Sequence, residues 1–262
     1  MQVSRSGYYR FIKHGYKAED RNLLVEVKTL AKLSRNSYGS RQLSKNLKAK
    51  GYPVGGYQAR SFMRKAGVEC KQRRRYRTTT DSRHRMPIAE NVLNRDFTAE
   101  SVNQKWVADL TYLWTQEGWL YLAAVLDIFS RRVVGWALAD HMREELVENA
   151  LHMALGRRCP PQGLLHHSDR GVQYASDAYQ ACLQKAGMVV SMSRKGNCWD
   201  NSIMERFFGS LKSERTDHII YHSREEAKAD VIDYIEMFYN SQRLHSSLGY
   251  VTPLQFEQIH FS

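Results

Sequence analysis

The apolar positions of the chain change their period part-way along. Over residues 21–35 (RNLLVEVKTLAKLSR), Leu23, Leu24, Val27, Leu30 and Leu33 recur mostly every three or four positions, which predicts one helical face. Residues 40–50 repeat the pattern with Leu43 and Leu47 one turn apart, and Gly51-Tyr52-Pro53 ends it. A third helix is expected over 56–66, closed by Gly67. Two short helices around a tight Gly/Pro turn read as a helix-turn-helix, with Arg60, Arg64 and Lys65 on the last helix. Residues 71–85 (KQRRRYRTTTDSRHR) have no apolar period and read as a basic linker that includes Arg73, Arg74, Arg75 and Arg77.

From about residue 103 the texture becomes β-rich. QKWVADLTYLWT and GWLYLAAVLDIF are expected to be strands joined at Gln116-Glu117-Gly118, and SRRVVGWALA a third after a turn at Ser130–Arg131. Residues 143–156 read as a helix stopped by Gly156, and GLLHHSD as a short strand. A helix follows with Ser176 as N-cap and Gly187 at its end, and MVVSMS is the next strand. Helices over 201–214 and about 223–240 complete the order. The expected class is α/β, preceded by a small all-α region. The boundaries are 1–70 for the helical region, 71–95 for the linker and 96–262 for the α/β body.

Charge divides the chain in a similar way. Residues 1–100 hold 23 Lys and Arg against 8 Asp and Glu, whereas residues 101–262 hold 16 against 19. All the excess of the +12 net charge therefore lies at the front, as in a nucleic-acid-binding arm joined to a near-neutral body. On that arm Arg60, Arg64 and Lys65 become candidate DNA contacts, and so do the four linker arginines. No run approaches the roughly 18 apolar residues of a membrane span, and MQVSRSGYYR does not resemble a secretory signal. A cytoplasmic protein acting without a membrane is expected. The four cysteines (Cys70, Cys159, Cys182, Cys198) show neither zinc-ligand spacing nor a disulfide framework. Adjacent His166 and His167 on a strand point to opposite faces and so do not share a metal.

An acidic cluster is the remaining candidate chemistry. Phosphoryl transfer on DNA needs both attacking and leaving oxygens clamped, which two divalent ions held by carboxylates supply. Asp109 lies mid-strand among apolar neighbours, where an acid is costly unless paired or metal-bound. Asp169 ends a strand before Arg170-Gly171, and Glu205 shares a helical stripe with Asn201, Phe208 and Lys212. Asp127, in VLDIF, competes with Asp109, and spacing alone does not choose between them. Tyr174 and Tyr179 read as packing residues or DNA contacts.

The segments SRSGYYR (4–10), YGSRQL (38–43), KWVADLTYL (105–113), LDIFSRRVVGWAL (126–138), HHSDRGVQYAS (166–176), GNCWDNSIMERFFGSLKSE (196–214) and YNSQRLHSSLGYVTP (239–253) span most of the chain. Together, and with 35 residues between Asp169 and Glu205, they resemble the second-frame product of the insertion-sequence-three family of bacterial transposases. The resemblance implies an RNase H-like, integrase-type core with a mixed five-stranded sheet. It implies that Asp109, Asp169 and Glu205 are the catalytic, metal-binding acids, that Lys212 is a DNA-binding lysine, and that Asp127 is structural. It further implies Mg²⁺ or Mn²⁺, cleavage at the 3′ ends of an insertion sequence, and strand transfer of those ends. The expected partners are double-stranded DNA (terminal inverted repeats and target) and further protomers on two DNA ends. An upstream frame product, fused or separate, is also expected, since MQVSRSGYYR opens without sustained heptads. A nuclease or junction resolvase on the same fold, a non-catalytic DNA-binding regulator and a retroviral-type integrase are the competing readings. The last lacks its zinc-binding His/Cys region here.

Overall fold

The structure is a computed structural model, and it describes residues 4–6, 8, 9, 18–71, 86–195 and 197–261. The chain divides into two compact units, Met1–Gln72 and Arg73–Ser262.

The first unit is helical: α1 (Ala18–Leu33), α2 (Ser40–Ala49) and α3 (Gly56–Ala66). Leu23, Val27 and Leu30 of α1 meet Leu43 and Leu47 of α2 and Ala59 and Met63 of α3 in one apolar cluster. Leu33 departs from the expected stripe and is exposed, because the helix turns Ala31 and then Ser34 inward instead. The α2–α3 turn is held by the Ser44 hydroxyl, which donates to the Val54 carbonyl at 2.6 Å. Gly67, with φ of +67°, closes α3 in a left-handed conformation that costs glycine little.

The second unit is built on a mixed five-stranded sheet. Its strands are β1 (Lys105–Thr115), β2 (Gly118–Asp127), β3 (Val133–Ala139), β4 (Leu165–Ser168) and β5 (Val189–Met192), in the order β3-β2-β1-β4-β5. The first three form an antiparallel meander, whereas β4 runs parallel to both β1 and β5. Helices α4 (Glu144–Arg158), α5 (Val172–Ala175) and α6 (Asp177–Lys185) supply the connections around β4. Trp106, Ala108, Ala123 and Val125 of the sheet pack with Leu146, Ala150 and Leu151 of α4 and Tyr179 and Leu183 of α6. β3 and α4 approach so closely at Gly135 that an added Cβ would lie 2.1 Å from the Ala150 carbonyl oxygen.

Helix α4 runs past Gly156 to Arg158 and ends at Cys159 in a left-handed conformation, so the glycine does not stop it. Ser176 caps α6 by accepting from the Tyr179 amide, as its sequence predicts. Beyond β5 come a 3₁₀ turn (Cys198–Asn201), α7 (Ser202–Glu214) and α8 (Arg224–Ile232). The single helix expected over 223–240 is divided: α8 widens into a π-helical stretch at Asp233–Tyr239. Helix α9 (Pro253–Phe261) ends the chain, with Glu257 bridging Arg132 and Arg158.

Candidate active site

The register of the parallel pair explains how two distant aspartates meet. Lys105, Trp106 and Val107 of β1 pair with Leu165, His166 and His167 of β4. The same offset carried forward sets Asp109 beside Asp169, just beyond the point where β4 ends. Ligands favour the space outside the carboxyl ends of parallel strands. β1 continues past this point with β2 on one side only, which leaves the Ala108 carbonyl available on the other. Asn201 takes it: its side-chain amide donates to that oxygen at 3.0 Å. The start of α7 is thereby docked next to Asp109, and Glu205 follows Asn201 by about one helical turn.

Each acid has a local constraint. Asp109 accepts from the Leu110 amide at 2.8 Å, and Asp169 from the Gly171 amide at 2.8 Å. A Cβ at Gly171 would stand 3.0 Å from that Asp169 oxygen, so the tight turn favours glycine. Glu205 is exposed, whereas the aspartates are half-buried. Burial pushes the Asp109 carboxyl well above the usual carboxylate range, and the charge of Asp169 and then of Glu205 pushes the same way. The Leu110 hydrogen bond and Lys212 oppose that rise. Burial lowers the Lys212 ammonium, against the pull of Asp217 and Asp109. The Lys212 Nζ stands 5.1 Å from the centre of the Tyr112 ring. Lys212 and the three acids are therefore within one electrostatic neighbourhood. Among the described residues, no group of three His, Cys, Asp or Glu side chains is close enough to hold a metal ion unaided.

Asp127 has a different environment. It is fully buried at the far end of β2 and accepts from the Asn103 amide, the Trp106 indole and the Phe129 amide. Those donors make it an acid satisfied within the fold, whereas Asp109 faces other acids. His166 and His167 diverge as expected. His166 faces the Tyr179 hydroxyl at 3.0 Å, and His167 sits between the Ser191 and Ser193 hydroxyls at 2.8 and 3.0 Å. Burial holds His166 down at about 3 and His167 at about 4, so both are neutral near pH 7. Tyr174 and Tyr179 are buried and stacked edge to face at 5.3 Å, so they are packing residues and not DNA contacts.

Residue-by-residue reading of the sequence missed two supports of this site. One is the bond from Asn201 to Ala108, although the four-residue spacing of Asn201 and Glu205 pointed to a shared face. The other is Asp200, whose buried carboxylate takes Arg194 at 2.7 Å, Arg95 at 2.8 Å and the Asn91 amide at 2.9 Å. This network pins the segment before α7 to the loop before β1.

Comparison with known proteins agrees with this geometry. The family described as "Integrase core domain" matches residues 99–198, a second family of the same description matches 205–261, and "HTH-like domain" matches 17–76. The Shigella sonnei "Insertion element IS600 uncharacterized 31 kDa protein" is 44% identical over 98% of this chain and 95% of its own length. The Escherichia coli (strain K12) "Transposase InsF for insertion sequence IS3A" is 40% identical over 98% of this chain and 91% of its own. The chain belongs to the insertion-sequence-three family of transposases.

Among solved structures, the simian T-cell lymphotropic virus intasome in complex with PP2A regulatory subunit B56 gamma aligns with this family member at a TM-score of 0.51. That alignment has 16% identity and covers 90% of this chain and 74% of that one. At that identity it bears on the fold alone, which is the integrase-type α/β core. In the helical unit of the same family member, Arg60, Arg64 and Lys65 are exposed on α3. Arg73, Arg74, Arg75 and Arg77, and most of the basic linker, lie outside the described residues. No helix among the described residues is long and apolar enough to cross a membrane.

Proposed function

We propose that the chain performs DNA transposition as a polynucleotidyl transferase, cleaving the 3′ ends of an insertion sequence and joining them to new phosphodiesters. Asp109, Asp169 and Glu205 are its catalytic acids. The observation that supports this most is the β1–β4 register that sets Asp109 beside Asp169, in a chain of this family; burial, then the charge of Asp169 and of Glu205, raises the Asp109 carboxyl there. Three mutually repelling carboxylates, with no nitrogen or sulfur donor among them, fit a hard divalent cation such as Mg²⁺ or Mn²⁺. A pair of such ions would clamp the attacking and leaving oxygens of an in-line displacement.

The protein's own groups supply the rest. The Leu110 and Gly171 amides orient the two aspartates, and each amide engages a single carboxylate oxygen. Glu205, exposed on its helix, completes the set from α7. Lys212, two turns on from Glu205, offers an ammonium to the DNA phosphates. The burial of Tyr174 and Tyr179 removes both as nucleophiles, which suits direct transfer without a protein–DNA bond.

The remaining assignments rest on charge, on the exposure of Arg60, Arg64 and Lys65, and on the family. Residues 1–70 bind DNA through Arg60, Arg64 and Lys65, and 71–95 form a linker whose Arg73, Arg74, Arg75 and Arg77 contact phosphates. Residues 96–262 are the catalytic part. Terminal inverted repeats and target DNA are the substrates, at least two protomers act on two ends, and an upstream frame product takes part.

The test is a joining assay with labelled terminal repeats and Mg²⁺ or Mn²⁺, comparing wild type with Glu205→Gln. Joined product from wild type alone is expected. Joining retained by Glu205→Gln would remove Glu205 from the site. Cut but never joined ends from wild type would make the chain a nuclease.

A further inference from the structure

A second concavity of about 420 Å³ opens beside α7, lined by Arg131, Arg206, Arg243, His245, Ser202 and Ser246 among others. Arg206 immediately follows Glu205, so it points about 100° round the helix from the catalytic acid. The pocket and the carboxylate site are thus on two neighbouring faces of one helix.

The charges of this pocket do not balance within the protein. Arg243 is satisfied: its guanidinium grips Glu214 at 2.7 and 2.8 Å and also reaches the Ser210 hydroxyl at 3.2 Å. Arg131 and Arg206 have no ion pair or side-chain hydrogen bond among the described residues. Burial lowers the Arg131 guanidinium and the repulsion of Arg206 adds to it, against a pull from Tyr239 and Asp127. His245 is held neutral, pushed down to about 2 by burial and by Arg243 and Arg131. A half-buried guanidinium without an anion is costly, and a fold keeps such an arrangement where a ligand supplies the charge.

The way Arg131 is aimed points in the same direction. Its backbone adopts a left-handed φ of +59°, which a branched or long side chain rarely does without cause. The turn is caged by Asp127, which accepts from the Phe129 and Ser130 amides. The next residue, Arg132, is drawn away to Glu257 at 2.7 Å. Of two consecutive arginines, one is thus tied to the fold and the other is directed into the pocket. The opposite wall comes from Arg243, His245 and Ser246 of the C-terminal RLHSSLGY segment.

We infer that this pocket binds a backbone phosphate of DNA, through the guanidinium groups of Arg131 and Arg206 and the neighbouring serine hydroxyls, as a contact separate from the carboxylate site. Planar guanidinium donors match the phosphodiester oxygens, and the open concavity admits a strand at its rim. This inference rests on the DNA-processing reading above. Free phosphate shares the same chemistry and is separated from DNA by the test.

The test measures binding of the full chain to a labelled duplex carrying the terminal repeat, across a range of salt. Each phosphate neutralised by the protein adds roughly 0.9 to the slope of log affinity against log salt. Arg131→Gln with Arg206→Gln is expected to weaken binding and to flatten the slope by about 0.9, the contribution of one phosphate. Arg206→Lys, which keeps the charge of an exposed residue, is expected to keep the slope, while Arg206→Gln alone loses about half of the difference. A double variant that melts like wild type and keeps the full slope overturns the inference alone. Stabilisation by inorganic phosphate that the double variant loses, with its DNA slope unchanged, also overturns it, since the pocket then takes small anions. A wild-type chain with no salt-dependent DNA binding overturns both this inference and the DNA-processing reading.

Discussion

Asp109 carries an electrostatic conflict within the fold. An aspartate in a central strand, partly withdrawn from water and facing two further acids, raises the free energy of the folded state when ionised. The sign is definite. A carboxyl raised in the fold ionises first in the unfolded chain, so the penalty is absent in acid and grows as pH rises past the ordinary carboxylate value. Asp109→Asn is therefore expected to melt higher than wild type near neutral pH without divalent ions, by an amount on the order of 1–3 kcal/mol. The gap should close as the pH falls toward 4, and Mg²⁺ should raise the melting temperature of wild type more than that of the variant. Equal melting of the two proteins at pH 7 would show that the conflict is absent. The sequence made Asp109 visible as an acid in an apolar run, but Asp127 looked the same. What separated them is invisible in one dimension: Asp127 is met by backbone and indole donors, and Asp109 by other acids.

Elements bring these residues together, and they pack closely. The meander of β1, β2 and β3, the N-cap of α6 and the helix-turn-helix pair were all legible from period and punctuation, because those signals are local. The parallel β1–β4 register was not legible, although it aligns Asp109 with Asp169, because it is set by packing between segments some sixty residues apart. Nor was the role of Gly135, which reads as an ordinary strand glycine. Its missing side chain lets β3 lie against α4, where a Cβ would come within 2.1 Å of Ala150 O and 2.8 Å of Ala154 Cβ. Both obstacles belong to a helix backbone and its short side chain, so neither can rotate away. Gly135→Ala must then separate β3 from α4 and is expected to cost about 3 kcal/mol or more, at the upper end of overpacking effects. Thermal or urea unfolding of the variant checks this, and a loss below about 1 kcal/mol would mean the two elements yield easily.

At the scale of the whole molecule, charge and core divide differently from chemistry. The helical unit has its own apolar cluster around Leu43, Leu47 and Met63, and the second unit has another around Trp106, Leu151 and Tyr179. The described members of each cluster come from its own unit, which gives each the means to fold alone. The surplus of basic residues, however, belongs wholly to the first 100 positions, while the three acids proposed as catalytic lie beyond them. Removing residues 1–88 should therefore separate two properties. The remainder keeps Ala89 against the sheet core and the Glu90 carbonyl bonded to the Met192 amide, so it is expected to stay folded. Its affinity for duplex DNA should fall, and the salt slope should flatten by roughly 0.9 for every phosphate the shortened chain no longer neutralises. A residual slope near 2 would correspond to one phosphate held by Arg131 and Arg206 together and one held by Lys212. If the shortened chain bound DNA with the affinity and salt slope of the full chain, the basic front would be a solvated surface, and the core alone would carry recognition.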